Sequence, residues 1–141
     1  MMKIIASLIL VLVVLIGWQT RASAGLPIAE SIMDEKPQDY PTITLAGGCF
    51  WCLESEFRSL DGIKYTHVGY TGGKVKNPRY EDITTGRTGH AEAVILTYDP
   101  KEISLEKLLH YFFEIAHDPT TLNRQGVDKG TQYRSTVFFF F

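Results

Sequence analysis

The chain has 141 residues, of which 45% are hydrophobic and 21% charged, and its formal net charge is −2. This is the length of one ordinary domain, and the composition excludes collagen-like, coiled-coil and wholly disordered chains. Because the charge is near neutral, the chain lacks the basic field that nucleic-acid binding needs, and we expect no nucleic-acid partner. Two cysteines are too few for a small secreted scaffold held by several disulfides.

The first 24 residues have the layout of a secretory signal peptide. Lys3 precedes an almost wholly apolar run over residues 4–16, and Ala-Ser-Ala at 22–24 forms a small-residue cleavage site. An uncleaved membrane anchor is the alternative, although the run is short for a span of roughly 20 residues. Cleavage after Ala24 predicts a periplasmic or secreted protein with no stable membrane association.

Residues 25–41 are predicted to form an exposed N-terminal arm, and residues 42–141 the folded domain. Apolar periodicity and turn residues predict the following elements in chain order. They are strand 42–46, helix 49–60, strand 63–70, a long glycine-rich loop 71–89, strand 91–98, helix 103–116, a polar loop 117–131, and a strand starting at 132. This order favours an α/β (α+β) domain, a ferredoxin-like plait with helices on a mixed sheet.

The second long helix is predicted to place five apolar side chains towards the core. They are Leu105, Leu108, Leu109, Phe112 and Phe113.

Two cysteines stand at the start of the first predicted helix, directly after two glycines. Unpaired N–H groups and the helix dipole stabilise a thiolate there, so Cys49 is a candidate nucleophile, with a buried structural cysteine as the alternative. Cys52 lies one helical turn further on, within reach for a reversible disulfide. A zinc half-site is the other interpretation of the pair, but the histidines offer no second ligand pair, and we expect no metal.

Aromatic and acidic side chains add to this candidate site. Phe50 and Trp51 follow the first cysteine and either pack in the core or line a pocket suited to a thioether or methyl group. Glu92 heads the apolar face of strand 91–98. Desolvation there would raise its pKa and make it a proton donor, whereas a solvated strand end would leave it an ordinary carboxylate.

Three polar residues lie in or beside the predicted loops. Tyr80 and Tyr133 carry phenol hydroxyls that can hydrogen-bond an oxygen without bearing charge, although loop tyrosines are also ordinary surface residues. Asp128 either orients a loop or forms a turn.

Five segments together resemble the A-type peptide methionine sulfoxide reductases. They are Gly-Gly-Cys-Phe-Trp at 47–51, Thr-Gly-His-Ala-Glu-Ala-Val at 88–94, Tyr-Asp-Pro at 98–100, His-Asp-Pro-Thr at 117–120, and Gln-Gly-Val-Asp-Lys-Gly-Thr-Gln-Tyr-Arg-Ser at 125–135. The resemblance covers roughly residues 42–137 and is specific, because several long motifs occur in order. It implies a ferredoxin-like plait, and an enzyme that reduces methionine S-sulfoxide, free or within proteins, with no metal or other cofactor.

The resemblance assigns a role to each candidate residue. Cys49 matches the family's nucleophile, and Glu92 matches the acid that protonates the sulfoxide oxygen. Tyr80 and Tyr133 match tyrosines that hydrogen-bond this oxygen. Asp128 matches a carboxylate that supports the site.

The aromatic residues and the second cysteine are assigned in the same way. Phe50 and Trp51 match the aromatic wall around the substrate methyl group. Many family members have glycine at position 52 and carry resolving cysteines in a C-terminal tail, but no cysteine follows Cys52 here. We therefore predict a Cys49–Cys52 disulfide after turnover, reduced by thioredoxin or a thioredoxin-like dithiol donor, in a protein that we expect to be a monomer.

Two alternative functions remain at this point. One is a thioredoxin-like dithiol–disulfide oxidoreductase that uses the same two cysteines. The other is an inactive remnant, because the match ends near Val137 and four phenylalanines follow, so we expect the catalytic domain to be C-terminally incomplete.

Overall fold

The computed structural model describes residues 39–139, so the predicted signal peptide, nearly all of the predicted arm and the last two phenylalanines lie outside the described residues. The helices and strands are β1 (Thr42–Ala46), α1 (Phe50–Arg58), β2 (Ile63–Thr71), α2 (Tyr80–Thr84), β3 (Ala91–Tyr98), α3 (Leu105–Tyr111), β4 (Arg124–Gln125), β5 (Asp128–Lys129) and β6 (Thr136–Phe138). Within this part of the chain, no helix has the length and apolarity that crossing a membrane requires.

Four strands form a sheet in the order β2-β3-β1-β6, and every neighbouring pair is antiparallel. Helix α1 connects β1 to β2, and α3 lies between β3 and β6 in the chain. Each of these connections passes over one intervening strand, which gives the predicted ferredoxin-like plait. The mixed sheet that we predicted is wrong, because the strands joined by a helix run parallel but are not neighbours.

The core lies between this sheet and its two longer helices. Alternation along β3 buries Val94 and Leu96 completely, and both pack against Leu53 and Phe57 of α1 in one cluster. Complete burial of a side chain such as Phe57 contributes about 1.5–3 kcal/mol of transfer free energy. This cluster fixes α1 on the sheet, and with it the position of both cysteines.

Helix α3 buries a narrower stripe than its sequence predicted. Leu108 and Phe112 are completely buried, but Leu105 is 40% exposed and Phe113 is 38% exposed. The helix continues as a single π turn over Phe112–Ala116. Because a π turn holds more residues than an α turn, the side chains after Phe112 rotate away from the positions that a 3.6-residue period predicts.

Both predicted loops contain short elements that carry candidate site residues. Helix α2 lies in the glycine-rich loop and is anchored by Ile83, which is completely buried. Strands β4 and β5 form a small hairpin in the polar loop, with register Gln125↔Asp128. Tyr80 begins α2 and Asp128 begins β5, so both residues belong to short regular elements within the predicted loops.

Candidate active site

A cavity of about 310 Å³ lies at the N-terminus of α1. Eight residues line it: Cys49, Phe50, Trp51, Tyr70, Tyr80, Glu92, Asp128 and Tyr133. Seven of these are the residues that the sequence analysis selected, drawn from distant parts of the chain. Tyr70 is an addition, and Cys52 is the one candidate that does not line the cavity.

Cys49 is the residue that precedes the first turn of α1. Its backbone is extended, with φ −60° and ψ 122°, and its carbonyl oxygen accepts hydrogen bonds from the N–H groups of Cys52 and Leu53 at 3.1 and 3.2 Å. The Cys49 side chain makes no capping hydrogen bond and is half-buried. The thiol therefore faces the cavity at the positive end of a helix, where a negative charge is stabilised.

Glu92 is buried within the cavity wall, with 3% of its surface exposed. Its Oε2 accepts a hydrogen bond of 3.1 Å from the backbone N–H of Phe50. Burial raises the pKa of the Glu92 carboxyl, and the nearby charge of Asp128 raises it further, whereas the hydrogen bond from Phe50 opposes both effects. The structure thus places Glu92 in the desolvated environment, and not at a solvated strand end.

The three tyrosines of the cavity differ in burial. Burial raises the pKa of Tyr70 and of Tyr133, and the charge of Glu92 raises both further, so these two phenols keep their protons at neutral pH. Tyr80 is 55% exposed and lies at the rim. Two neutral hydrogen-bond donors therefore lie close to the buried carboxyl group.

Tyr70 is the lining residue that sequence reasoning missed. It stands directly opposite Glu92 in the β2–β3 ladder, and its ring stacks on Phe50 with ring centroids 5.5 Å apart. The only signal in the sequence is an aromatic residue at the end of a predicted strand. Its place in the cavity depends on the register between β2 and β3, and this register cannot be predicted from a single sequence.

The two aromatic residues after the nucleophile occupy different depths. Phe50 is buried and Trp51 is 69% exposed, with ring centroids 5.5 Å apart. Phe50 therefore forms part of the cavity floor, where it also packs against Tyr70, and Trp51 forms part of the rim.

Cys52 lies outside the cavity on the exposed side of α1. Partial desolvation raises the pKa of its thiol, and a hydrogen bond with the Cys49 side chain raises it further. The negative charges of Asp128 and Glu56 act in the same direction. The two thiols interact across one turn of the helix, which is compatible with disulfide formation between them.

A buried histidine, His117, packs against the glycine turn behind the nucleophile, since a Cβ atom at Gly47 would lie 2.8 Å from its ring. The sequence analysis did not select this histidine. The Nδ1 of His117 donates to the carbonyl oxygen of Phe112 at 2.6 Å, and its Nε2 accepts from the hydroxyl of Ser135 at 2.8 Å. Burial lowers the pKa of His117, which agrees with a neutral ring.

Across residues 39–139, no group of three or more His, Cys, Asp or Glu side chains is placed to hold a metal ion.

Gly48 forms the backbone turn that leads from β1 to Cys49. Its φ is +104°, in the left-handed region, and a Cβ atom there would lie 2.6 Å from the side chain of Gln125. The side chain of Gln125 in turn accepts a hydrogen bond of 2.9 Å from the N–H of Asp118. The β4–β5 hairpin can therefore pack directly against the turn that carries the nucleophile.

Replacement of Gly48 by alanine is expected to lower the free energy of unfolding by about 1–3 kcal/mol. Alanine disfavours the positive φ at this position, and its Cβ atom would clash with the side chain of Gln125. Gly69→Ala is the matched control, since a Cβ at Gly69 meets no atom within 4 Å. This control should stay within about 0.5 kcal/mol of the original chain. Urea unfolding followed by circular dichroism measures both variants, and equal midpoints for the two would contradict the prediction.

The cavity defines a class of site: a cysteine at a helix N-terminus beside a buried carboxyl group and protonated tyrosines, suited to thiol-based redox chemistry on a neutral oxygen-bearing substrate. The sequence model of the family described as Peptide methionine sulfoxide reductase matches residues 41–140. The chain belongs to this family. The thioredoxin-like alternative agrees neither with this family nor with the plait.

Relatives and solved structures support the assignment. The chain is 49% identical over 114 residues to peptide methionine sulfoxide reductase MsrA 1 of Rhodopirellula baltica, covering 80% of this chain and 59% of the relative. It is 57% identical over 96 residues to the MsrA of Trichodesmium erythraeum, covering 68% of this chain and 54% of the relative. The chain thus spans between half and three-fifths of the length of these curated relatives.

Two solved structures share the fold. One is methionine sulfoxide reductase A of Corynebacterium diphtheriae, with TM-score 0.69 and 43% identity, covering 72% of this chain and 48% of that one. The other is Mxr1 from Saccharomyces cerevisiae in reduced form, with TM-score 0.69 and 42% identity, covering 74% of this chain and 62% of that one.

Proposed function

We propose that this protein reduces methionine S-sulfoxide, free or within proteins, to methionine, with Cys49 as the nucleophile. The observation that carries the proposal is the meeting of Cys49 and the buried Glu92 in one cavity lined by aromatic rings. The membership of the chain in the peptide methionine sulfoxide reductase family supports this reaction over other thiol chemistry.

The first chemical step is attack of the Cys49 thiolate on the sulfoxide sulfur. The substrate sulfur gains two electrons and loses its oxygen, and the Cys49 sulfur loses two electrons and ends as a sulfenic acid. Negative charge develops on the oxygen during this transfer, and a proton from Glu92 neutralises it. A protonated carboxyl group is needed for this role, and the raised pKa of Glu92 favours that form.

Neutral donors and aromatic rings orient the substrate. The phenols of Tyr80 and Tyr133 donate hydrogen bonds to the sulfoxide oxygen, where the charge develops. Asp128 supports the site from β5. The rings of Phe50 and Trp51 hold the substrate methyl group, because thioether and methyl groups pack favourably against aromatic rings.

The resolving step uses Cys52. Its thiol condenses with the Cys49 sulfenic acid, so that a disulfide forms and the oxygen leaves as water. A thioredoxin-like dithiol donor then reduces the disulfide, and the exposed position of Cys52 leaves that sulfur open to the donor thiol. The separate roles of the two cysteines are supported by their positions, since Cys49 lines the cavity and Cys52 lies outside it.

The Cys49–Cys52 disulfide gives a direct prediction. After one equivalent of methionine sulfoxide and no added thiol, the intact protein should lose the mass of two hydrogen atoms. Cys52→Ser should instead retain one oxygen as a sulfenic acid on Cys49, because it has no resolving thiol. Intact-mass spectrometry with a sulfenic-acid trapping reagent measures both. A stable sulfenic acid on the original chain would contradict the prediction.

The sequence of residues 1–24 supports export of the protein. We therefore propose that it acts in the periplasm or outside the cell, and that its dithiol donor is an extracytoplasmic member of the thioredoxin-like class.

An assay with both sulfoxide epimers tests the proposed function. The purified chain, supplied with a small dithiol reductant, should consume the S epimer of free methionine sulfoxide and leave the R epimer. The reason is that the sulfoxide oxygen must face Glu92 while the methyl group faces the rings, and only one epimer places both correctly. Chiral chromatography follows each epimer. Equal consumption of both, or of neither by folded protein, would contradict the proposal.

A further inference from the structure

A shallow groove of about 650 Å³ follows the exposed side of α1. Five residues line it: Trp51, Glu54, Ser55, Arg58 and Ser59. The opposite side of the same helix is packed on the core, so this groove is the outward face of the element that carries both cysteines.

The groove adjoins the candidate active site at one residue. Trp51 lines both the groove and the cavity, and its side chain is largely exposed. A polypeptide whose oxidised methionine fills the cavity must leave over the cavity rim. A polypeptide that crosses the rim at Trp51 would enter the groove.

The far end of the groove presents a cation. The side chain of Arg58 is 68% exposed, and its Nη2 donates to Oε1 of Glu54 at 3.1 Å. The side chain of Glu54 is only 18% exposed, and the same Oε1 also accepts from the hydroxyl of Thr66 at 2.9 Å. Since a guanidinium has five N–H donors, Arg58 keeps donors that can bind a further carboxylate.

Helix geometry sets the spacing of this cation from the site. Arg58 lies seven positions after Trp51, which corresponds to about 10 Å along the helix axis. An extended peptide covers this distance in about three residues. We propose that the groove binds the polypeptide flank of an oxidised methionine, and that Arg58 pairs with an acidic side chain three residues from it. The proposal rests on the proposed function and names its substrate class.

Peptide kinetics test the proposal. Seven-residue peptides carry methionine S-sulfoxide at the centre, with Glu or Lys three residues before or after it. For one of the two placements, kcat/KM for the Glu peptide should exceed that for the Lys peptide by about two- to fivefold, the range of an exposed ion pair. Arg58→Glu should reverse this order and leave the rate with free methionine sulfoxide unchanged. Added salt should reduce the preference.

Lys107→Glu is the matched control, because it makes the same change of charge at an exposed position on α3. It should leave the peptide preference as it is. The proposal would be overturned if the Glu and Lys peptides reacted at equal rates. It would also be overturned if Arg58→Glu changed the rate with free methionine sulfoxide as much as the rate with the peptides. An Arg58→Glu effect confined to the KM of a thioredoxin donor would overturn it as well, because it would assign the groove to the reductant. Absence of reduction of free sulfoxide by the original chain would overturn the proposed function itself.

Discussion

Replacement of Cys49 by serine is expected to abolish sulfoxide reduction, with kcat/KM falling by about 10⁴-fold or more. A serine hydroxyl at this position is neither ionised nor able to accept the oxygen as a sulfenic acid. Cys52 does not substitute for it, because this residue lies outside the cavity on the exposed side of α1. Single-turnover consumption of free methionine S-sulfoxide measures the loss.

The matched control is the second cysteine. Cys52→Ser should retain the first turnover at nearly the original rate, because only the later resolving step needs this thiol. Both variants should unfold at similar urea concentrations, since neither side chain belongs to the buried core. Substantial single-turnover activity in Cys49→Ser would show that another group is the nucleophile.

Replacement of Glu92 by glutamine is expected to lower kcat/KM for the sulfoxide by about 10²–10⁴-fold, the contribution of a positioned general acid. Glutamine has almost the same shape and can still accept the hydrogen bond from Phe50 N–H, but it has no acidic proton to transfer. Dithiol–disulfide exchange by the two cysteines should remain nearly unchanged. Glu106→Gln, at an exposed position on α3, is the control for the loss of a carboxyl group.

The pH profile provides a second readout for Glu92. Because the reactive form is the protonated carboxyl, activity should fall as pH rises through its native pKa, which lies above the ordinary value. The glutamine variant should lack this decline. The protonated carboxyl also stabilises the fold below its unfolded-state pKa, and this stabilisation is lost as pH rises through the native pKa. Glutamine stays neutral, so the Glu92→Gln variant should be at least as stable as the original chain at pH 7. Equal loss of sulfoxide reduction and of dithiol–disulfide exchange in this variant would contradict the assignment of Glu92 as the acid.

The sequence predicted β1 and β3 with the bounds found in the structure, because alternating residues are followed there by clear turn signals. It also selected the cavity residues, since Cys49 and Glu92 are unusual in their local patterns. Tyr70 was missed because its role depends on the strand opposite. The plait was predicted, but its sheet was predicted as mixed and not antiparallel for the same reason, since long-range pairing leaves no mark in a local window.

Short elements and helix faces were harder to predict than long strands. Helix α2 has five residues and each strand of the β4–β5 hairpin has two, lengths at which periodicity carries little information. Leu105 is exposed because α3 buries only a narrow stripe of its surface, and Phe113 is exposed because it lies in the π turn that follows α3. A regular helical period predicts neither feature.

The position of β1 in the sheet has a consequence for the durability of the site. This strand is paired on both edges, with β3 and with β6, and its last residue leads through two glycines to Cys49. Strands bonded on both sides exchange their amide hydrogens slowly, because they open only when the whole domain opens. The small elements that carry Tyr80 and Asp128 have few such restraints. Local fluctuation should therefore loosen the positions of Tyr80 and Asp128 first, and the thiol and its acid should keep their relative position until global unfolding.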